Sequence, residues 1–149
     1  MTNEPSVNAP RLNRQVCFAM YSASRAATAV YRPMLEGLGL TYPQYLVMLV
    51  LWEEQPRSVR ELGEELGLDS GTLSPLLKRL EALGLVERRR SAEDERRVEV
   101  FLTDAGAALS AEATGIPQRL AVAAGLSPAE LDQLRDTLGR LTAALHSSR

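Results

Sequence analysis

The chain has 149 residues, 45% hydrophobic and 24% charged, with a formal net charge of −2. That length and apolar content suit one domain with a sizeable core, and the slightly negative charge argues against a bulk electrostatic binder of nucleic acid. A single cysteine excludes a disulfide within the chain and a multi-thiolate zinc site, so neither a metal nor a cofactor is expected.

In chain order, residues 1–10 (MTNEPSVNAP) lack the apolar run of a signal peptide and read as a loose tail. A first helix is expected at about 11–37. It carries the lone Cys17 beside Phe18, and Pro33 is expected to kink it. A second helix, about 42–54, opens with the capping pattern Thr41-x-x-Gln44 and with Pro43 in its first turn. It contains the longest apolar run, Tyr45 to Trp52, far too short to span a bilayer, so a soluble, cytoplasmic protein is expected. Ser58-x-x-Glu61 starts a third helix at about 58–66, and a fourth follows at about 71–83.

The period then changes. Val98, Val100 and Leu102 alternate with Arg97, Glu99 and Phe101, which is a strand pattern. Leu85 to Arg90 forms the opposing strand and Ser91 to Glu95 the turn, giving a hairpin that must pack on helices to be stable. Helices at about 103–123, interrupted by Pro117, and 127–146, opened by Ser127-x-x-Glu130 and Pro128, complete the chain. Their apolar seams (Leu109, Ala113, Ile116, Leu120; Leu131, Leu134, Leu138, Leu141, Leu145) suit dimerisation, although such seams are more often ordinary core. Trp52 and Phe101 are expected in the core and His146 in solvent.

The most informative stretch is SVRELGEELGLDSGTLSPLLKRLEALG. Its second helix gathers Leu73, Leu76, Leu77, Leu80 and Leu83 on one side. Gly71, Ser74, Pro75, Lys78 and Ala82 project opposite, flanked by Thr72 and Arg79. This is a helix-turn-helix, and its second helix has an N-terminus suited to a phosphate. Pro75 falls in the first turn if the cap lies near Gly71 or Thr72. The hairpin after it completes a winged helix with a wing placed for a minor groove. Residues 57–97 hold nine Lys/Arg and nine Asp/Glu, so local contacts rather than bulk charge must carry any DNA binding. The expected class is mainly α with a small β-hairpin wing. In a single 1–149 domain, residues 42–102 form the winged helix-turn-helix, and 11–40 and 103–146 form dimerisation helices.

The segment DSGTLSPLLKRLEALGLVERRRSAEDERRVEVFLT resembles the MarR family of bacterial regulators, including its Asp-x-Arg wing motif at Asp94 and Arg96. CFAMYSASR with LTYPQYLVMLVLWE is similar to the organic hydroperoxide resistance subgroup, and the likeness runs from about Leu12 to His146. The resemblance implies that Ser70, Thr72, Lys78 and Arg79, with Ser74 on the same face, meet the major groove. It implies that Arg96, oriented by Asp94, meets the minor groove of a pseudo-palindromic double-stranded operator. It further implies that Cys17 is a peroxide sensor partnered by Tyr31 and Tyr42, with Tyr21 nearby. Tyr31 lies 14 residues beyond Cys17, about 21 Å along a straight helix, so it serves the sensor only from a second subunit. Homodimerisation follows from that assignment, with an organic hydroperoxide and a low-molecular-weight thiol as effectors.

Two rivals stand beside this reading. A peroxidatic enzyme would need a resolving thiol and an alternating strand–helix scaffold, and the sequence has neither, so no enzymatic activity is expected. The other is a MarR-like repressor released by a small aromatic or phenolic ligand, with Cys17 structural, since a lone cysteine is often just a small hydrophobe.

Overall fold

The computed structural model describes residues 10–149, so the expected tail lies, but for Pro10, outside the described residues. The chain forms two compact units, one ending at Ala113 and one covering Thr114–Arg149. In the first, a 3-10 turn at Leu12–Arg14 precedes α1 (Val16–Glu36) and α2 (Tyr42–Glu53). Next come β1 (Arg57–Ser58), α3 (Val59–Leu66), α4 (Ser70–Ala82), β2 (Val86–Arg90), β3 (Val98–Leu102), α5 (Asp104–Ala108) and α6 (Ser110–Ala113). The second holds α7 (Ile116–Ala124) and α8 (Pro128–Ser147). Among the described residues no helix is long and apolar enough to cross a membrane.

Helix boundaries follow from caps. At α2 both halves of the capping box form: Thr41 Oγ1 accepts from Gln44 N, and Gln44 Oε1 accepts from Thr41 N. Ser127 and Glu130 do the same for α8. At α3 only half forms: Ser58 Oγ accepts from Glu61 N (3.0 Å), while the Glu61 carboxylate turns to Arg97. The first helix starts later than the sequence implies, because Gln15 is extended and the 3-10 turn stands apart. The long helix expected over 103–123 is three short ones. Pro117 has no N–H for the Ala113 carbonyl, so it begins α7 instead of continuing its predecessor.

The cap of α4 also corrects the sequence reading. Asp69, not Gly71 or Thr72, is the N-cap, with Oδ1 2.7 Å from Thr72 N. Pro75 therefore lies inside the helix, past the first turn, and removes the bond that would otherwise reach the Gly71 carbonyl. Four of the five expected leucines, Leu73, Leu76, Leu77 and Leu80, are buried. Leu83 is 51% exposed, because it caps the helix and Gly84, at φ 75°, turns the chain away.

The core of this unit joins those leucines to Leu62 of α3, to Val47, Met48 and Leu51 of α2, and to Val86 and Val100 of the sheet. Fully burying each Leu, Val or Met stabilises by about 1.5–3 kcal/mol before the entropy of ordering it is counted. The sheet has a third strand the sequence did not announce: β1 pairs antiparallel with β3 (Arg57↔Val100, Ser58↔Glu99) in the order β1-β3-β2. Trp52 and Phe101 are half-buried, not core: Trp52 Nε1 donates to the Gly106 carbonyl (2.9 Å), and Phe101 lies under the Arg89 guanidinium. His146 is exposed as expected.

Candidate nucleic-acid interface and thiol site

The recognition face is built from α4 outward. Burial of its leucines against α2 and α3 leaves Ser70, Gly71, Thr72, Ser74, Pro75, Lys78 and Arg79 all exposed. Gly67 closes α3 in the left-handed region (φ 67°), which makes the tight turn between the two helices possible without strain. The same Asp69 bond that fixes the start of α4, with the Thr72 N–H as donor, holds the Asp69 carboxyl below its ordinary value. Ser70 and Ser74 line an open groove with Arg88, Asp94, Arg96 and Arg97 of the wing, so helix and wing share one surface.

Ion pairing divides the cations of residues 57–97. Arg57 faces Glu54, Arg60 faces Glu64, Arg88 contacts Glu81, Arg89 faces Glu87, and Arg97 bridges Glu61 and Glu99. Arg90 donates to the Glu95 carbonyl. Lys78, Arg79 and Arg96 make no ion pair among the described residues. Within this segment, the cations with no carboxylate partner among the described residues therefore lie on α4 (Lys78, Arg79) and on the wing (Arg90, Arg96).

The wing tip is an Asx turn. Asp94 Oδ1 accepts from Arg96 N (3.0 Å), its carbonyl accepts from Arg97 N (2.9 Å), and the Arg97 carbonyl accepts from Ser91 N (2.8 Å). Asp94 thus meets Arg96 through its backbone N–H, and no ion pair joins its carboxylate to the Arg96 guanidinium among the described residues. Glu61, although partial burial pushes its carboxyl up, is held below the ordinary value by the Arg97 guanidinium and the Ser58 bond.

Cys17 is exposed and lies in the first turn of α1 rather than mid-helix. The N–H groups of that turn have no intrahelical acceptor, and the positive end of the helix dipole favours an anion there. Tyr21, one turn on, carries Arg25 over its ring at 5.5 Å. Tyr31 and Tyr42 are brought together, ring centroids 4.9 Å apart, with Tyr45 6.0 and 6.4 Å from them and Trp52 6.3 Å beyond Tyr45. Tyr45 was missed at the sequence level. Its signal was the helical spacing of Tyr42, Tyr45 and Trp52 on one face of α2. The four predicted thiol-site residues therefore divide: Cys17 and Tyr21 near one end of α1, Tyr31 and Tyr42 at the other.

Burial, reinforced by Tyr42 and Tyr45, pushes the Tyr31 hydroxyl up to about 12 from 10.0. Because the folded value is the higher one, stability is unaffected below pH 10 and declines as pH rises from about 10 toward 12. Alkaline titration of tyrosinate absorbance should show Tyr31 lagging in the native protein and rejoining the other tyrosines in denaturant.

Residues 29–113 match the family model described as transcriptional regulator SarA/Rot. The organic hydroperoxide resistance transcriptional regulator of Bacillus subtilis (strain 168) is 46% identical over 136 residues, 91% of this chain and 92% of that protein. Reduced AbfR bound to DNA has a TM-score of 0.76 at 37% identity, covering 91% of this chain and 94% of that one; AbfR comes from Staphylococcus epidermidis. AbfR has also been solved overoxidized on DNA and in a disulfide-formed state. The PcaV transcriptional regulator of Streptomyces coelicolor, in complex with its natural ligand, has a TM-score of 0.81 at 27% identity, covering 92% and 98% of the two chains.

Proposed function

The chain belongs to the MarR- and SarA-type family of winged-helix transcriptional regulators, and from that membership we propose that it is a dimeric DNA-binding repressor that senses organic hydroperoxides through Cys17 and then releases its operator. The observation that carries the DNA-binding half is the pattern of pairing within residues 57–97: among the described residues Arg88, Arg89 and Arg97 face carboxylates, while Lys78, Arg79 and Arg96 make no ion pair and lie with the exposed hydroxyls of Ser70, Thr72 and Ser74. In this reading α4 enters the major groove, where the positive end of its dipole meets a phosphate. Arg96, oriented by Asp94, enters the minor groove.

Dimerisation is supported by surface the chain leaves uncovered. On α1, Val16, Phe18, Tyr21 and Val30 are exposed; in the second unit Val122, Leu134, Leu138 and Leu145 are exposed. Apolar helices of this kind mark an interface, and the reading places a second copy there. Two-fold symmetry then sets the recognition helices about 34–36 Å apart on a pseudo-palindromic site. The partner's α1 would bring Tyr31, with Tyr42 behind it, toward Cys17.

The redox step balances. The Cys17 thiolate attacks the terminal oxygen of RO–OH, the O–O bond breaks, and sulfenic acid and an alcohol form. A small thiol then attacks the sulfenic sulfur, giving a mixed disulfide and expelling water. AbfR is seen bound to DNA both reduced and overoxidized, which is in keeping with a trigger other than added oxygen. The mixed disulfide is bulkier and displaces the tyrosines. A few kcal/mol of preference for a misaligned dimer is then enough to empty the operator.

A second reading keeps the repressor and replaces the trigger with a small ligand. It is favoured by the likeness to ligand-bound PcaV and by a groove between α1 and α2 lined by Thr28, Arg32, Leu35, Leu40 and Tyr42.

The interface is tested by substitution, with affinity measured at matched salt on a duplex that the protein selects from a random pool. Arg96→Ala and Lys78→Ala should each cost about 1–3 kcal/mol and relax base preference where they contact. Arg89→Ala, which removes a charge already neutralised by Glu87, should cost less than either. Equal losses for all three would reject the assignment.

A further inference from the structure

Pairing with β1 reaches only Glu99 of β3, so nothing in the sheet but β2 holds the strand beyond that point. A two-stranded hairpin is marginal by itself, and its angle to the helices must be set by side chains. Arg97 stands just past that point, between β3 and the tip turn. Its Nη2 lies 2.6 Å from Glu61 Oε1 on α3, its Nε lies 3.3 Å from Glu99 Oε1, and its backbone closes the tip turn through Ser91 and Asp94. Glu61 is the residue whose carboxylate leaves the capping pattern of α3 to make this contact. Arg96, the neighbouring residue, makes no ion pair among the described residues.

We propose that Arg97 is a positioning residue for Arg96: by bridging Glu61 and Glu99 it fixes the angle between the wing and the helix-turn-helix, so that Arg96 reaches DNA together with α4. The inference rests on the DNA-binding reading above. Glu61 and Arg97 are both partly exposed, and exposed pairs stabilise a fold little, so the device acts on geometry more than on melting temperature.

The sign of one substitution isolates it. Glu61→Ala removes a carboxylate from a surface that meets a polyanion, and electrostatics alone would tighten binding. A positioning role reverses that sign. Glu61→Ala should weaken operator binding about three- to tenfold and blur base preference at the wing positions, with Tm nearly unchanged. In an Arg96→Ala background the same substitution should add almost nothing. Binding that is unchanged or tighter in Glu61→Ala overturns the inference, as does a loss that adds fully to that of Arg96→Ala. If Arg96→Ala itself costs nothing, the DNA reading of the wing fails and the inference with it.

Discussion

Cys17→Ser should bind the operator like the parent chain and keep it through a treatment with organic hydroperoxide and small thiol that empties the parent. The expectation of intact binding comes from placement: Cys17 is exposed in the first turn of α1 and supports no core side chain, so an isosteric oxygen disturbs nothing that shapes α4 or the wing. The expectation of lost response comes from chemistry. Only a thiolate attacks the peroxide bond and then condenses with a thiol, and this chain has no other sulfhydryl. Methionine sulfur also oxidises, but to a sulfoxide that forms no disulfide. The effect is close to all-or-none. It also separates the two triggers, because a ligand-released repressor would lose its operator to its ligand regardless of residue 17. Full release of Cys17→Ser by the oxidant treatment would end the sensor reading and leave the ligand reading standing.

Gly106→Ala should be the most destabilising single-methyl addition in the first unit. A Cβ built there would sit 2.0 Å from the Leu85 carbonyl oxygen and 3.0 Å from its carbon, both main-chain atoms with no rotamer to yield. The approach is enforced from several sides. Thr103 N donates to the Leu85 carbonyl, Thr103 Oγ1 donates to the Gly84 carbonyl (2.6 Å), and the Gly106 carbonyl accepts from Trp52. Adding the methyl must part α5 from the turn that leaves α4. Overpacking of this kind lies at the upper end of its usual range, about 3 kcal/mol, or roughly 6–12 °C in Tm for a chain of this size. The single tryptophan gives a second readout, since losing the Gly106 bond should shift Trp52 emission. An unchanged Tm and emission would show that α5 does not seat against Leu85.

What the sequence disclosed depended on the range of the interaction responsible. Leucines spaced every three or four residues, the alternation at Val98, Val100 and Leu102, and Ser or Thr three before Glu or Gln are local patterns, and the elements they imply are present. The two-residue β1 is too short for any period and exists only because β3 pairs with it. The start of α4, expected near Gly71 or Thr72, was misplaced because an aspartate two or three residues earlier caps equally well, and only the Asp69 bond fixes it. The division of arginines was hidden for another reason. Arg97 and Glu61 are 36 residues apart, and Trp52 and Gly106 are 54, so composition saw a neutral segment where the fold sorts paired from unpaired charge. The separation of Cys17 from Tyr31 was legible as helix length. The spacing of Tyr42 and Tyr45 put both on one face of α2, but that this face meets Tyr31 came only from α2 packing on α1.

The central claim is that Cys17 is a switch completed by a small thiol, and operator occupancy tests it most directly. The parent protein on its duplex receives one equivalent of organic hydroperoxide, with and without a low-molecular-weight thiol, while intact mass is followed in parallel. Hydroperoxide alone should add one oxygen and leave most operator bound, and added thiol should convert the adduct to a mixed disulfide and empty the operator in step. Occupancy that stays high after the mixed disulfide has formed on every chain would contradict that claim.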